Sequence, residues 1–279
     1  MQKTIKKDGI VIEKNKDYHS YTQAISKSRL SKMALTPRYF KWCEDNPQEP
    51  TEDLIVGSAF HKVVLEPRTF AREFVVAPYI DRRTKAGREL YAEFENKAKN
   101  RDIITQENYD MVCAMKKRVM ENRYAKALLN GNVENSMYYT DDLTGIDCKI
   151  RPDCYKVVGD KVIITDLKSC KSAAPEDFTR DIVKYGYDLQ CAMYKIGVSK
   201  VLNVPLENIE FVFVAVEKKA PYLMGIYETD NNIFERGESL YRKYLGMLKQ
   251  CRETNDWYDY NGFTHEPSVI SLPDYMLKK

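Results

Sequence analysis

Hydrophobic positions recur with a helical period through the first half of the chain and switch to alternation near residue 132. Before the switch, Leu30, Met33, Ala34 and Leu35 predict a helix that Ser26 or Ser28 can cap and that runs to about Trp42, ahead of Pro47 and Pro50. A second helix is predicted over 53–66, stopped by Pro67. Its stretch Gly57-Ser58-Ala59-Phe60-His61 is small on one side and would let another backbone come close. Residues 86–100 and 106–129 continue as amphipathic helices, the second with Tyr109, Val112, Met115, Val119 and Met120 as its inner stripe. Residues 1–24 are polar apart from Gly9-Ile10-Val11-Ile12 and read as an arm.

After residue 132 the segments 134–140, 146–157 and 161–169 alternate with period two. They predict three consecutive strands in a meander, turning at Asp142-Leu143-Thr144-Gly145 and at Gly159-Asp160. A helical region follows over 175–202, with an interruption near Tyr185-Gly186-Tyr187. Strands at 209–216 and 222–227 around a turn at 218–221, a helix at 231–256 and a tail packed through Trp257, Phe263 and Leu272 complete the chain. The implied fold is α/β (α+β): about five strands flanked by helices, behind a helical N-terminal half. It is organised as one domain over 1–279, with an arm (1–24), a helical part (25–130), a core (131–256) and a tail (257–279).

A chain of 279 residues with 43% hydrophobic content can fill a core. No run of about 18 apolar residues is present, and the N-terminus lacks a signal-peptide apolar stretch, so a cytoplasmic protein with no membrane partner is expected. Seven cysteines form no CxxC pair, and the odd count argues for reduced, structural thiols. Only one of them follows Cys191, which excludes an iron–sulfur cluster needing several late cysteines. The net charge of +3 does not announce a nucleic-acid partner, but its distribution is uneven. Residues 1–32 hold eight Lys or Arg against three acids. The segment 81–88, read as a loop, offers Arg82, Arg83, Lys85 and Arg88 against Asp81, either as a solvated loop or as a DNA contact.

The turn Val158-Gly159-Asp160-Lys161 carries the first sign of chemistry. Glycine at its first central position fits a type II′ hairpin, so Val158 pairs with Lys161 and, counting outward, Asp153 lies opposite Asp166. Like charges placed so are destabilising unless something compensates, and a divalent cation is the simplest compensator. Two converging carboxylates, with a main-chain carbonyl near Leu167, suit Mg²⁺. On 161–168, Val162, Ile164, Asp166 and Lys168 share a face that turns from apolar to charged. Lys168 would then stand where its charge stabilises an attacking hydroxide or the phosphorane oxygens, and Arg151, on the face of Asp153, can contact the scissile phosphate. The alternative is a structural salt-bridge network of the same four residues. Gln190 and Tyr194, spaced i and i+4, present an amide and a phenol on one helix face, or are ordinary polar residues.

Taken in order, Gly57-Ser58-Ala59-Phe60-His61, Arg151-Pro152-Asp153, Asp166-Leu167-Lys168-Ser169 and Gln190-Cys191-Ala192-Met193-Tyr194 resemble the motifs of the PD-(D/E)xK nuclease superfamily. Within it they resemble the exodeoxyribonuclease VIII (RecE-type) phage exonucleases. The resemblance runs from about Ser26 to the final helix. It implies a restriction-endonuclease-like core with a central mixed sheet, with His61, Asp153 and Asp166 as metal ligands. It also implies that Lys168 assists the attacking water and that Gln190 and Tyr194 form a QxxxY motif near DNA. Mg²⁺ is the expected cofactor, with Mn²⁺ able to substitute because an imidazole softens the donor set. Glu134 is a further candidate, or a surface charge. Ser28 and Arg29, near a helix N-terminus, offer a place for a terminal phosphate.

The resulting expectation is a 5′-to-3′ exonuclease on linear double-stranded DNA ends in phage-type recombination. By resemblance it would be a ring-shaped homo-oligomer working with a single-strand annealing recombinase. A structure-specific or restriction-like endonuclease with the same site, and a non-catalytic DNA-binding protein that kept the fold, are the rivals.

Overall fold

The computed structural model describes residues 8–99, 101–273 and 276. β1 (Gly9–Val11) leads into α1 (Asn15–Ser20), and α2 (Lys27–Leu30) runs through a 3₁₀ turn, Ser31–Ala34, towards α3 (Pro37–Asp45). The single helix expected from Ser26 or Ser28 to Trp42 is therefore broken. Pro37 cannot continue a helix but starts one well, and Thr36 caps α3 by accepting from the Tyr39 amide at 3.0 Å. α4 (Glu52–Leu65) falls where the pattern put it, capped by Thr51 and stopped before Pro67. After α5 (Phe70–Glu73) come β2 (Phe74–Ala77), α6 (Lys85–Ala98) and β3 (Asp102–Thr105), and β2 and β3 form a parallel pair that alternation did not reveal. Lys85 and Arg88 thus lie on the first turn of a helix, not in a loop. The helix expected over 106–129 is two, α7 (Gln106–Glu121) and α8 (Arg123–Leu128), because Asn122 caps the second through the amides of Tyr124 and Ala125.

β4 (Asn132–Val133), β5 (Ser136–Thr140), β6 (Asp147–Ile150), β7 (Cys154–Val158) and β8 (Lys161–Cys170) follow. The 146–157 segment is two strands rather than one. Pro152 has no amide to give a ladder, and at Arg151-Pro152-Asp153 the chain leaves one sheet for another. β5 pairs with β1 on one side and β6 on the other in a separate three-stranded sheet, so the three expected strands do not form a single meander. The segment read as an arm is built in: β1 pairs with β5, and Tyr18 and Tyr21 are buried. Lys149, itself buried, donates to the carbonyls of Tyr18 and of Tyr21, the latter at 2.6 Å.

α9 (Pro175–Lys184) and α10 (Tyr187–Leu202) cross over to β9 (Ile209–Glu217). β10 (Met224–Glu228) and α11 (Asn231–Thr254) end the ordered elements. The main sheet has the order β10-β9-β8-β7-β4, parallel between β8 and β9 and antiparallel elsewhere, which is the five-stranded mixed sheet expected. One face packs through Val162, Ile164, Phe211 and Phe213 on α10 and α11, while the other packs through Leu167, Val214 and Val216 on α4 and α7. Gly237 permits the α10–α11 approach, since a Cβ there would stand 2.0 Å from the Asp188 carbonyl oxygen. In the tail Trp257 stacks on Phe40 and Phe263 meets Tyr258 edge-on, but Leu272 is exposed.

Candidate active site

The hairpin register is the one that the turn predicts, from Val158 paired with Lys161 to Cys154 paired with Thr165, where the ladder ends; Asp153 and Asp166 are the residues immediately beyond it. Gly159 takes φ +63°, the left-handed value that a first central glycine supplies. These positions lie where β7 begins and the apolar part of β8 ends, and Asp153 lines a cavity of about 390 Å³ with Asp166 buried behind its wall. Three elements close round it. α4 brings His61, the bend after β4 brings Glu134, and α10 brings Gln190 and Tyr194.

His61 Nδ1 lies 3.1 Å from Asp153 Oδ1, and Asp153 Oδ2 accepts the Leu167 amide at 2.7 Å. Leu167 therefore meets the cluster through its amide, where the sequence suggested its carbonyl. Asp166 Oδ2 accepts from Gln190 Nε2 at 2.6 Å. Its Oδ1 is ion-paired with Lys168. Lys168 also donates to Gln190 Oε1 at 3.1 Å, and its Nζ lies 4.6 Å from the centre of the Tyr187 ring. The carboxylates are thus opposed, but each has a cation of its own, His61 or Lys168.

One ligand atom each from His61, Glu134 and Asp153 lie within 4.8 Å of one another. Glu134 occupies left-handed backbone, φ +52°, a conformation costly for a residue with a Cβ and held here by its amide donating to the Asp153 carbonyl at 3.2 Å. Its carboxylate accepts from Arg151 Nε at 2.6 Å. Arg151, expected at the scissile phosphate, spends its other contacts on Ser136 Oγ and the Glu13 carbonyl, so it orients Glu134. Tyr194 donates to the Arg151 carbonyl at 3.3 Å and so steadies the bend that carries Asp153.

Burial, reinforced by the Asp153 charge, pushes Glu134 up to about 7 despite Arg151. Burial likewise raises Asp166, with Asp153 adding to it and Lys168 only partly offsetting it. Burial would raise Asp153 too, but the charge and hydrogen bond of His61, then Lys168 and the Leu167 amide, hold it below the ordinary carboxylate value. Burial opposes the charge on His61, and Asp153 overrides it, lifting the imidazole to about 9. Three crowded carboxylates, two of them reluctant to ionise, with an imidazole among them, are a donor set that fits a hard divalent cation.

The remaining candidates divide. Ser28 lines the cavity beside Ser26, 3.2 Å between hydroxyls. Arg29 does not: its guanidinium is taken up by Glu44 and the carbonyls of Thr22 and Ala24. Arg82 lies over Tyr91, Arg83 pairs with Asp81, and Arg88 donates to the Arg83 carbonyl; with Lys85 they stand away from the cavity wall. Sequence reasoning passed over Lys27, Tyr187 and the Asn15, Tyr18 and His19 side of the wall. Lys27 donates to the Tyr185 carbonyl at 2.8 Å and reaches towards Tyr187. Its neighbours Ser26 and Ser28 drew the cap reading, which hid it.

The family described as "PDDEXK-like domain of unknown function (DUF3799)" matches residues 15–264. No curated protein matches the sequence. Among solved structures, that of a "Putative exonuclease" from Eubacterium rectale is similar at TM-score 0.61 and 14% identity, over 95% of this chain and 97% of that one. The structure of SSO0001 covers 82% of this chain and 81% of its own at 12% identity, with a TM-score of 0.35. The first likeness is one of fold.

Proposed function

The chain belongs to the PDDEXK-like domain family, and from that premise we propose that it is a divalent-metal-dependent nuclease, specifically a 5′-to-3′ exodeoxyribonuclease acting on linear double-stranded DNA. The observation that carries the reading is the convergence of His61, Glu134 and Asp153 beside the Asp166–Lys168 pair. These four acidic and imidazole side chains would hold the cation, Mg²⁺ or Mn²⁺. Bound there, it supplies positive charge at the phosphodiester and lowers the pKa of water. No helix among the described residues is long and apolar enough to cross a membrane.

The chain's own groups divide the rest of the work. Lys168, fixed between Asp166 and Gln190, aims a charged donor at the oxygens that gain charge as water adds to phosphorus. The bond to the leaving sugar oxygen breaks and that oxygen takes up a proton, giving a phosphomonoester and an alcohol. Gln190 orients Asp166 and Lys168 together, while Arg151 orients Glu134. The name of the Eubacterium rectale protein supports end-dependent hydrolysis. Polarity, a role in phage-type recombination, kinship with the RecE-type enzymes, a ring-shaped homo-oligomer and an annealing partner rest on the motif resemblance.

Linear duplex labelled at either 5′ or 3′ ends, incubated with Mg²⁺ or Mn²⁺, tests the reading. Expected is stepwise release of the 5′ label, no attack on covalently closed circles, and no activity in Asp166→Ala. Linear duplex left intact with both cations, or Asp166→Ala acting like the wild type, overturns it. Cutting of the circle turns it into an endonuclease.

A further inference from the structure

Beside the catalytic cavity lies a second one, of about 810 Å³, and apart from His61 and Lys168 its lining takes no part in the proposed hydrolysis. The two share Ser58, His61, Lys168 and Tyr187, so they adjoin across the candidate reactive centre. The second is basic: Lys168, Lys171, Lys184, Lys218 and Lys219 line it against Asp53 and Asp181. Lys218 neutralises Asp53 at 2.6 Å. Lys171, Lys184 and Lys219 are exposed and form no ion pair with described residues. They come from three separate places, the end of β8, the end of α9 and the turn before β10, so no single helix face explains their convergence.

Two aromatic rings accompany the charges. Tyr185 is half exposed and lies 5.7 Å from Tyr187, tilted by 34°, with Lys184 over the Tyr185 ring at 5.0 Å and Lys168 over that of Tyr187. Ammonium groups that follow a polyanion, alternating with rings on which bases stack, are the features of single-strand recognition. Bases in a duplex are already stacked on one another and offer such rings nothing. The volume is that of a small-molecule site, enough for about one or two nucleotides and too little for two strands.

We propose that this second cavity binds single-stranded polynucleotide and leads one strand, separated from its complement, to the metal-binding cluster. This rests on the nuclease reading for its purpose, though not for its test. Tyr185 and Tyr187 stack the bases, while Lys171, Lys184 and Lys219 carry the phosphates.

The test is fluorescence anisotropy of the full chain with a labelled oligothymidylate, with oligouridylate and with a blunt duplex, in EDTA so that nothing is cut, over a range of salt. Expected is tighter binding of the single strands than of the duplex; the two single-stranded arms tell DNA from RNA. In Lys184→Ala/Lys219→Ala the salt slope falls by about 1.4, since each phosphate contact on a single strand accounts for about 0.7. Tyr185→Ala should weaken single-strand binding about 5- to 100-fold while leaving the salt slope nearly unchanged. All three side chains flank an open cavity, and a thermal melt establishes that the variants fold. Lys117→Ala/Lys126→Ala, on α7 and α8 away from both cavities, controls for net charge. Equal slopes in the groove and control variants, or a preference for duplex, would overturn the proposal. Hydrolysis of a nitrophenyl phosphodiester by the wild type with Mn²⁺ reads the catalytic cavity separately. Its absence counts against the nuclease reading alone, and unchanged anisotropy counts against the groove alone.

Discussion

Asp141 and Asp166 are buried to the same degree, each 1% exposed, and the protein treats them in opposite ways. Asp141 is fully occupied. One oxygen accepts the Thr144 amide and hydroxyl at 2.9 and 2.8 Å, and the other accepts Tyr241 at 3.1 Å and Arg242 at 2.7 Å. Burial would raise its carboxyl, yet Thr144, Tyr241 and Arg242 together hold it below the ordinary value. Asp166 has fewer partners, Gln190 on one oxygen and Lys168 on the other, and burial with the Asp153 charge beside it pushes it up in spite of them. A buried charge with every lone pair answered closes a fold; one kept beside a like charge, its partners only partly offsetting burial, is a place for a cation.

The sharpest way to break that contrast is to remove one charge from each cluster. Asp153→Asn is expected to lower the rate of DNA hydrolysis by about 10³-fold or more and to abolish the rise in melting temperature that Mn²⁺ gives the wild type. Asp141→Asn should leave the rate per folded molecule and the Mn²⁺ shift intact. Equal losses of rate in the two variants would erase the distinction.

Stability should run the other way. Asp141→Asn removes charged acceptor oxygens from Thr144, Tyr241 and Arg242 and should cost about 1–3 kcal/mol in denaturant unfolding. Asp166→Asn removes a charge that burial already disfavours and should cost less. If Asp166→Asn proves the more destabilising of the two, the carboxylate is structural after all.

How much of this was readable before folding follows from the range of the interactions. The hairpin register was legible because Gly159-Asp160 fixes it locally, and the position of α4 because Pro67 ends it. The mixed sheet was legible because a helical stretch between two apolar strands forces a crossover. The change of sheet at Arg151–Asp153 was not, since alternation runs through it and only the partners β5 and β8 distinguish its halves. Glu134 was visible as a residue but not as a neighbour of His61, because that depends on a left-handed bend that no local pattern announces. The N-terminal segment looked like an arm because the groups that hold it, Lys149 and Tyr138, are more than a hundred residues away.

Gln190 tests the contrast less violently, because it reaches the proposed cation through Asp166 rather than touching it. Gln190→Ala deprives Asp166 of its hydrogen bond and Lys168 of its acceptor. Losses of this kind weaken metal affinity by about 10- to 100-fold. Calorimetric titration with Mn²⁺ should register that weakening while the unfolding midpoint without metal moves little. An unchanged affinity would make Gln190 a packing residue.

The smallest effect concerns Lys27, an ammonium that donates to the Tyr185 carbonyl and lies over the Tyr187 ring. Burial, and then the Lys168 charge, bring it down from 10.5 to about 8, with Asp166 offsetting part of this. Because the folded value lies below the unfolded one, the unfolded chain holds the proton more tightly between the two. Stability therefore rises with pH from about 8 towards 10.5, and the full penalty applies below 8. Lys27→Met removes the penalised charge and keeps the length of the side chain. Its melting temperature relative to wild type should be higher at pH 7 than at pH 9.5. A difference that is the same at both values would mean that the ammonium is accommodated as completely as Asp141, and the contrast between fully and partly answered charges would stop at the carboxylates.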